Sequence, residues 1–370
     1  MKIAFLESFY GGSHKSFLDG LIQNTSHEIK SYVLPARFWK WRLRSSAIYF
    51  ADQFGPEFNE FDLIMATDMI NIAEFKALTN CSKPIIMFFH ENQLTYPLPG
   101  RETIDMHFGL VNITSALTAD LNLFNSEFQL SEFTKKLPEF LHKIPEFVPK
   151  NTLTNIVQKS QVTYMGCDFQ PFSNLKKTKN DSPVILWNHR WEFDKQPHIF
   201  FECLYKLQEL KYDFEVIILG ENSQVHPKEF IEAKKRLSDR IIHIGFAECR
   251  DDYASFLARA DIVISTAIQE NFGFAVLEAM FCRALPLLPE RLSYPEILNS
   301  EFHDDFLYKS QDDLLAKLKK YLTNINAYDD VRSKISASVA HFSWNDRIDD
   351  FDKIFDELLK KHLKIANSSC

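Results

Sequence analysis

Short apolar runs alternate with amphipathic segments along most of the chain of 370 residues. The run at residues 260–266 is rich in β-branched side chains, which is typical of a buried parallel strand. The runs lie at residues 3–6, 31–34, 62–67, 84–89, 119–124 and 161–165, and again at 184–187, 214–219, 240–244, 260–266 and 285–288. Strands that alternate with helices in this way predict an α/β fold with parallel sheets.

A polar, lysine-rich stretch at residues 173–182 separates the two series of strands and indicates a linker. We therefore predict an N-terminal Rossmann-like domain at residues 1–172 and a second one at 183–342. Both are expected to be doubly wound and to face each other across a cleft. Apolar residues at helical spacing predict a C-terminal helix at 343–370, which could pack back on the N-terminal domain.

The stretch from residue 260 to residue 280 predicts a strand, a tight loop and the start of a helix. Glu270 is expected in the loop, Gly273 at the turn and Glu278 in the first turns of the helix. Ligands of open α/β sheets bind at the C-terminal ends of the strands. Two carboxylates at such a corner suggest a ligand rich in hydroxyl donors, such as a sugar or a ribose, although Glu278 could also be a solvated helix carboxylate.

Two cations, Arg190 and Lys195, follow the first strand of the second domain. An arginine fork together with a lysine point charge suits a diphosphate, the leaving group of a nucleotide sugar. The alternative is a pair of solvated cations near a helix start, which is disfavoured because they would oppose the helix dipole. The pattern favours a phosphate-bearing donor.

In the first domain, Gly11 and Gly12 follow the first strand and His90 ends the fourth. Backbone amides in such a glycine loop can face an anion or an acceptor, but the loop lacks the GxGxxG fingerprint, so a plain strand-to-helix turn remains the alternative. His90 could bind a sugar or a phosphate, or it could be structural. It does not open an HExxH zinc helix, because Leu94 stands at the fifth position.

Cations and aromatic side chains are interleaved in a segment that contains Arg37, Phe38, Trp39, Lys40, Trp41, Arg42 and Arg44. This composition can stack unpaired bases and hold phosphates. The same pattern fits an amphipathic helix with its tryptophans on the core and its cations in solvent. The net charge of −8 argues against nucleic-acid binding by the whole surface but leaves room for a local basic patch.

The remaining composition restricts location and cofactors. No apolar run reaches the roughly 18 residues of a membrane span, and the N terminus enters a strand directly, so we expect a cytoplasmic protein without a membrane partner. The six cysteines show no CxxC pair and are expected to be reduced core thiols. No motif indicates a metal, and we expect no metal and no cofactor.

The Glu270 to Glu278 spacing, the Arg190 and Lys195 pair and the two Rossmann-like halves resemble the retaining, metal-independent GT-B enzymes of glycosyltransferase family 4. Four longer blocks resemble the tRNA-queuosine alpha-mannosyltransferase family: ESFYGGSHK at residues 7–15, LPARFWKWR at 34–42, FHENQLTYP at 89–97 and HRWEFDK at 189–195. This resemblance implies transfer of mannose from GDP-mannose to the queuosine base in the anticodon loop of tRNA-Asp.

The resemblance also implies residue roles. Arg190 and Lys195 would hold the diphosphate, Glu278 the ribose and Glu270 the mannose hydroxyls, with His90 near the transferred sugar. Further donor-binding positions would be Gly11, Gly12, Gly245, Phe246, Asn271, Phe272 and Gly273. The acceptor side would comprise Ser13, His14, Arg37, Trp39, Lys40, Trp41, Arg42, Arg44, Asn92 and Gln93. Asp168 has no assigned role, because residues 166–168 match the interdomain loop of family 4 only loosely.

The implied mechanism is front-face substitution with retention, in which the leaving phosphate oxygen takes the acceptor proton and Glu270 only binds the sugar. Three alternatives stay open. The chain could use another nucleotide sugar with a glycan, lipid or small-molecule acceptor. It could be a GT-B protein that is not a transferase, such as a nucleotide-sugar epimerase. It could also be a catalytically silent RNA- or nucleotide-binding module.

Overall fold

The computed structural model describes residues 1–97, 105–220 and 227–368. The chain divides into two compact units, one formed by Met1–Gly166 with Phe342–Cys370 and the other by Cys167–His341. The segment predicted as a linker, residues 173–182, lies within the second unit. Its polar side chains explain why: Lys177 donates to the Ala260 carbonyl, and Asn180 Nδ2 donates to Asp261 Oδ2 at 2.8 Å.

The first unit contains one parallel sheet with the strand order β2-β1-β3-β4-β5-β6. Its strands are β1 (Lys2–Tyr10), β2 (Glu28–Pro35), β3 (Leu63–Thr67), β4 (Ile85–Phe89), β5 (Leu121–Phe124) and β6 (Ser160–Val162). The central strands are buried on both faces, as the continuous apolar runs predicted. The strand order reverses between β1 and β3, which makes that position the switch point of the sheet.

The second unit contains another parallel sheet, with the order β12-β11-β10-β7-β8-β9. Its strands are β7 (Val184–Asn188), β8 (Glu215–Leu219), β9 (Ile241–Gly245), β10 (Ile262–Ile264), β11 (Leu285–Pro289) and β12 (Leu307–Tyr308). The switch point of this sheet lies between β7 and β10. The predicted α/β class with two Rossmann-like sheets is confirmed, and β12 is a strand that the sequence pattern did not reveal.

Helices cover the faces of both sheets. They are α1 (Gly12–Asn24), α2 (Trp39–Phe54), α3 (Ile72–Thr79), α4 (Met106–Thr118), α5 (Glu127–Leu141), α6 (Thr152–Val157), α7 (Pro197–Glu209), α8 (Lys228–Arg236), α9 (Arg250–Arg259), α10 (Phe274–Phe281), α11 (Tyr294–Ile297), α12 (His303–Phe306), α13 (Gln311–Thr323), α14 (Asp329–Val339) and α15 (Trp344–Ser368). No helix in the described part of the chain is long and apolar enough to cross a membrane.

The C-terminal helix α15 belongs to the first unit and packs on α1. Trp344 fills a space left by two glycines, because a Cβ at Gly20 would lie 1.9 Å from its Nε1 and a Cβ at Gly166 would lie 2.2 Å from its Cδ2. Farther along the helix, Asp352 Oδ2 accepts a hydrogen bond from Ser26 N at 2.9 Å. Small residues and one carboxylate thus fix this helix to the first sheet.

Five cysteines lie in the described residues, and all are free thiols: Cys81, Cys167, Cys203, Cys249 and Cys282. Four are buried as expected. For Cys249 the expectation was wrong, because this residue is exposed at the N-cap of α9, where its Sγ accepts from Asp252 N at 3.4 Å. Cys370 lies outside the described residues.

Candidate functional site

The predicted donor residues of the second unit lie where β7 and β10 end, at the switch point of the sheet. Lys195 is the last residue of a 3₁₀ turn, Phe193–Lys195, that follows β7. Its Nζ lies 3.3 Å from Asp194 Oδ2 and 3.4 Å from Glu270 Oε2, and it donates to the Gln269 carbonyl. We call Asp194, Lys195 and Glu270 the lysine cluster.

The lysine cluster combines a buried cation with two carboxylates of different exposure. Lys195 and Asp194 are buried, whereas the Glu270 side chain retains 23% of its exposure. Burial alone would lower the pKa of Lys195, but Glu270 and Asp194 outweigh it and raise that pKa above its ordinary value. Lys195 is therefore a fixed positive charge, next to a carboxylate that solvent and ligands can reach.

Backbone contacts between the two loops hold the lysine cluster in place. Thr266 Oγ1 donates to the Lys195 carbonyl at 2.6 Å, and Ile268 N donates to the Asp194 carbonyl at 2.8 Å. Arg291 Nε donates to the Ala267 carbonyl at 3.1 Å from the other side of the loop. The loop after β10 thus orients Lys195 and Glu270 together, although they are far apart in sequence.

Arg190 is exposed near the lysine cluster, and its Nη1 lies 3.2 Å from Glu192 Oε1. Between Arg190 and β7 lies the buried side chain of His189. Burial, and then the charges of Lys195 and Arg190, keep the pKa of His189 well below its ordinary value. Next to the two cations, this histidine is neutral.

Glu278, in α10, is held by two side chains of α9. Arg250 Nη2 donates to its Oε1 at 2.9 Å, and the Tyr253 hydroxyl donates to its Oε2 at 2.5 Å. Asn188 Nδ2, at the end of β7, donates to the Tyr253 hydroxyl at 2.8 Å. Burial raises the pKa of Glu278, and Arg250 and Tyr253 partly oppose that rise.

Arg250 and Tyr253 were not predicted. Their signal in the sequence was faint: they are three residues apart on a helix that follows a glycine at the end of a strand, so they share one helix face. Asp168, which had no predicted role, accepts a hydrogen bond from Gln170 N at 3.1 Å and orders the turn that follows.

The other predicted donor residues contribute backbone geometry. Gly245 and Gly273 have φ values of +138° and +100°, which side-chain-bearing residues rarely adopt. Phe246 is 66% exposed, whereas Asn271 and Phe272 are buried and stabilise the loop. Asn271 Oδ1 accepts from Gln269 Nε2 at 3.2 Å, and the Phe272 carbonyl accepts from Ser293 Oγ at 3.1 Å.

In the first unit, four buried ionisable residues meet at the switch point of the sheet, and we call Glu7, His14, Asp68 and His90 the histidine cluster. Glu7 Oε2 lies 3.0 Å from His14 Nδ1, and the rings of His14 and His90 lie 4.0 Å apart between centroids. Asp68 Oδ1 accepts from His90 N at 2.8 Å. Asp68 was missed by the sequence analysis, although it directly follows β3.

The pKa values of the histidine cluster are shifted in different directions. Burial would lower the pKa of His14, but the Glu7 carboxylate more than compensates and raises it to about 9. The pKa of His90 lies well below its ordinary value because of burial and the charge of His14. Burial raises the pKa of Asp68 to about 7. A protonated His14 therefore packs against a neutral His90 with the two rings tilted by 32°, and His14, predicted on the acceptor side, points into the core.

Among the described residues, Glu7, His14 and His90 form the one group that could hold a metal ion, with one ligand atom from each within 4.8 Å of the others. Metal ligands must be deprotonated. His14 is protonated and engaged with Glu7, so a cation could bind here only after His14 had lost its proton. The geometry as it stands is that of an ion pair packed against a neutral ring.

The loop after β1 leaves no room for a side chain at its first glycine. A Cβ at Gly11 would lie 2.4 Å from the Ala36 Cβ, and Gly12 has a φ of +53°. Ser13 is exposed one residue later, in the first turn of α1. Gly12 and Ser13 are thus both exposed where this loop enters α1.

Asn92 and Gln93, predicted on the acceptor side, lie in the turn that follows β4. Asn92 is buried, and its Oδ1 accepts from the backbone N atoms of Leu94 and Thr95, both at 3.1 Å. Gln93 is half-buried, and its N donates to Asn112 Oδ1 at 2.8 Å. The side chain of Asn92 thus shapes the turn instead of facing solvent.

We call residues 37–44, in which cations and aromatic side chains are interleaved, the basic aromatic segment. Part of it faces the core and part of it faces solvent, so each of the two interpretations of its composition holds for some of its residues. Trp39 packs against Phe108, with ring centroids 5.1 Å apart, so one tryptophan faces the core. Phe38 and Trp41 are 70% and 65% exposed. The cations lie around them at the start of α2: Arg37, Lys40 and Arg44 are exposed, and Arg42 Nε donates to the Pro35 carbonyl at 3.2 Å. Two aromatic rings and several cations therefore share one accessible surface.

Two family matches divide the chain at nearly the same point as the structure does. Residues 2–167 match the family described as tRNA-queuosine alpha-mannosyltransferase N-terminal, and residues 168–338 match glycosyl transferases group 1. A Drosophila melanogaster protein named tRNA-queuosine alpha-mannosyltransferase is 36% identical over 333 residues, which cover 86% of each chain.

Solved structures share the fold at low identity. Anabaena HepE in complex with UDP aligns with a TM-score of 0.70 at 16% identity and covers 96% of this chain and all of its own. Sucrose-phosphate synthase from Thermosynechococcus elongatus aligns with a TM-score of 0.75 at 11% identity and covers 98% of this chain and all of its own. At this identity the likeness establishes the GT-B fold and nothing finer.

Proposed function

Because the chain belongs to the tRNA-queuosine alpha-mannosyltransferase family, we propose that this glycosyltransferase moves mannose from GDP-mannose to the queuosine base of tRNA-Asp, with retention. The observation that carries the proposal is the 3.4 Å pair of Lys195 and Glu270 at the switch point of the second sheet. It supplies a fixed cation for a diphosphate and an accessible carboxylate for sugar hydroxyls. A cytoplasmic location, without a membrane partner, is part of the proposal.

On the donor side, the charges suit a sugar diphosphate. Lys195 and the exposed Arg190 would stabilise the negative charge that develops on the diphosphate as the glycosidic bond breaks. Glu270 would accept hydroxyl donors of the mannose, and Glu278 those of the ribose. His90 would contact the transferred sugar as a neutral ring. No step requires a metal or another cofactor.

On the acceptor side, the basic aromatic segment suits an unpaired loop of RNA. Phe38 and Trp41 offer exposed rings on which splayed bases can stack, and Arg37, Lys40 and Arg44 supply positive charge for phosphates. The acceptor oxygen on queuosine would attack the anomeric carbon on the side from which the diphosphate leaves. Its proton would pass to the departing phosphate oxygen, which retains the anomeric configuration.

The direct test is a transfer assay with labelled GDP-mannose and tRNA that either carries or lacks queuosine. Label is expected only in the queuosine-containing tRNA, and within that pool only in tRNA-Asp. Label in both tRNAs, or in neither, would refute the acceptor. Transfer from UDP-sugars instead would refute the donor, and loss of activity after chelation would contradict a mechanism without a metal.

A second test addresses the acceptor surface. Trp41→Ala removes an exposed ring at which stacking contributes about 1–3 kcal/mol per base, so the Kd for tRNA should rise roughly 5- to 100-fold. Tyr49→Ala is the matched control, since Tyr49 is 47% exposed farther along the same helix. A substitution of Lys40 should instead lower the salt dependence of tRNA binding by about one unit of slope. Equal effects of the two ring removals would argue against this surface.

A further inference from the structure

The Glu278 carboxylate is fixed at both oxygens by neighbours that the mechanism above does not use. Arg250 donates to Oε1 at 2.9 Å and Tyr253 to Oε2 at 2.5 Å, and the tyrosine is itself oriented by Asn188 at 2.8 Å. Three elements, β7, α9 and α10, thus converge on one carboxylate. A half-buried tyrosine and an arginine therefore orient both oxygens of this helix carboxylate.

We propose that Arg250 and Tyr253 are positioning residues that aim the Glu278 carboxylate at the two ribose hydroxyls of the donor nucleotide. The inference rests on the proposed function, in which Glu278 binds the ribose. It extends that function by assigning roles to Arg250 and Tyr253. It also states that Glu278 recognises the ribose of the nucleotide whichever base the nucleotide carries.

The hydrogen-bond capacity of Glu278 allows this role. An ionised carboxylate offers about four lone-pair positions, and Arg250 and Tyr253 occupy one on each oxygen. One position on each oxygen is left for a donor, and the two oxygens are separated by the distance that suits neighbouring hydroxyls. The side chain retains 13% of its exposure, so a ligand can reach it.

The surroundings of Arg250 restrict its motion. Its guanidinium lies over the ring of Phe172 at 4.8 Å and over that of Tyr253 at 5.2 Å. Such cation–π contacts hold the arginine flat against the unit and direct its Nη2 towards Glu278. The charge of Arg250 also opposes the rise that burial causes in the pKa of Glu278.

The test compares the binding of GDP with that of 2′,3′-dideoxy-GDP to the full chain by calorimetry. Wild type should bind GDP about 10²- to 10⁴-fold more tightly, because two charge-assisted hydrogen bonds are lost with the hydroxyls. Tyr253→Phe and Arg250→Met should each reduce the ratio of the GDP affinity to the dideoxy-GDP affinity by roughly tenfold. Arg250→Lys should reduce this ratio by a smaller factor. In Glu278→Gln the ratio should be close to one. The affinity for dideoxy-GDP should stay unchanged in the Tyr253 and Arg250 variants.

Tyr321→Phe is the matched control, because its buried hydroxyl also bonds a partner in the second unit, the Asp305 carbonyl at 2.8 Å. Its ratio should equal that of wild type. An unchanged ratio in Tyr253→Phe, or equal weakening of both nucleotides, would overturn the inference, since the tyrosine would then be merely structural. Thermal unfolding of each variant identifies any loss of fold.

The outcomes also separate this inference from the proposed function. If GDP does not bind but UDP or ADP does, the same ratio is measured with that nucleotide and its dideoxy form. In that case GDP-mannose is refuted as the donor, and the ratio still tests whether Glu278 binds the ribose. A ratio near one in the wild type would overturn the inference together with the ribose role of Glu278, and the tRNA assay would still decide the transfer reaction.

Discussion

Each sheet has a cluster of buried charged residues at its switch point, but the two clusters differ in the residues that carry the charge. In the second unit, Lys195 lies between Asp194 and Glu270, and its positive charge is reinforced by both carboxylates. In the first unit, His14 is paired with Glu7 and packs against the ring of His90, beside the buried Asp68. In the lysine cluster, the two carboxylates raise the pKa of Lys195 and so hold its positive charge. The other cluster contains groups whose pKa values lie at about 7 and about 9.

The difference shows what each switch point can do. A fixed cation suits a diphosphate, whose charge grows as the bond to the sugar breaks. A cluster that titrates near neutrality changes its protonation with pH and with nearby charges, so its stability depends on solution conditions. The same sheet position therefore offers fixed electrostatics in one unit and adjustable electrostatics in the other.

The largest effect is expected from removal of the central cation. Lys195→Met leaves Asp194, which is fully buried, without its counter-charge. Loss of one partner of a buried ion pair costs about 3–5 kcal/mol of unfolding free energy. Urea unfolding would measure this loss, and mannose transfer should fall by about 10²- to 10³-fold because the diphosphate loses a preorganised charge.

Lys309→Met is the matched control in the same unit. Lys309 Nζ lies 3.4 Å from Glu290 Oε2, the same separation as in the Lys195 and Glu270 pair, but its side chain is 77% exposed. Exposed pairs contribute about 0–1 kcal/mol. Similar losses in the two variants would show that burial does not distinguish the lysine cluster from an ordinary surface pair.

The fold and the positions of Lys195 and Glu270 were accessible from sequence because they depend on local patterns. Apolar runs mark buried strands, and polar residues directly after them mark the ligand edge of the sheet. Lys195 and Glu270 both follow such runs, and the structure brings them to 3.4 Å. The linker prediction at residues 173–182 relied on composition alone, and composition does not reveal that Asn180 bonds Asp261.

The partners of the predicted residues were harder to predict, because they depend on side-chain direction across different elements. Tyr253 and Glu278 lie on separate helices, and nothing in either segment shows that they meet. His14 follows a glycine loop, a pattern that suggested an accessible acceptor contact, yet it points inward to Glu7. Asn92 looked like a ligand residue and instead bonds the backbone of its own turn. Sequence patterns place residues at an edge but do not fix which way they point.

An effect of intermediate size is expected on the pH dependence of stability, to which the ion pair of His14 with Glu7 contributes. Its folded pKa of about 9 exceeds the ordinary value of 6.5, so its stabilisation is complete below pH 6.5 and is lost as the pH rises through about 9. At 1.36 kcal/mol per pKa unit, the upper limit is about 3 kcal/mol. Urea unfolding is measured at pH 6.5 and pH 9.5 and monitored by amide exchange in the first unit. Between these two pH values, wild type should lose more unfolding free energy than His14→Gln.

Asp68 contributes with the same sign but at lower pH, because its raised pKa means that stability falls as the pH rises from its ordinary value of 3.8 to about 7. His14→Gln retains Asp68 but removes the His14 charge that lowers the pKa of Asp68, so the comparison with wild type measures His14 together with its effect on Asp68. His198→Gln is the control, as His198 is exposed in α7 of the second unit. Equal pH profiles for wild type and His14→Gln would contradict the ion pair with Glu7.

The smallest effect is expected in the second unit, where the lysine cluster should make GDP binding insensitive to alkaline pH. Lys195 keeps its proton because Glu270 and Asp194 raise its pKa in spite of burial. Calorimetry should therefore give GDP affinities that differ by less than about threefold between pH 7 and pH 9, a range in which an ordinary lysine also stays charged and the diphosphate is fully ionised. A tenfold loss over this range would mean that burial dominates and that Lys195 titrates. The two switch points would then share the same adjustable electrostatics, and the division of roles between the units would fail.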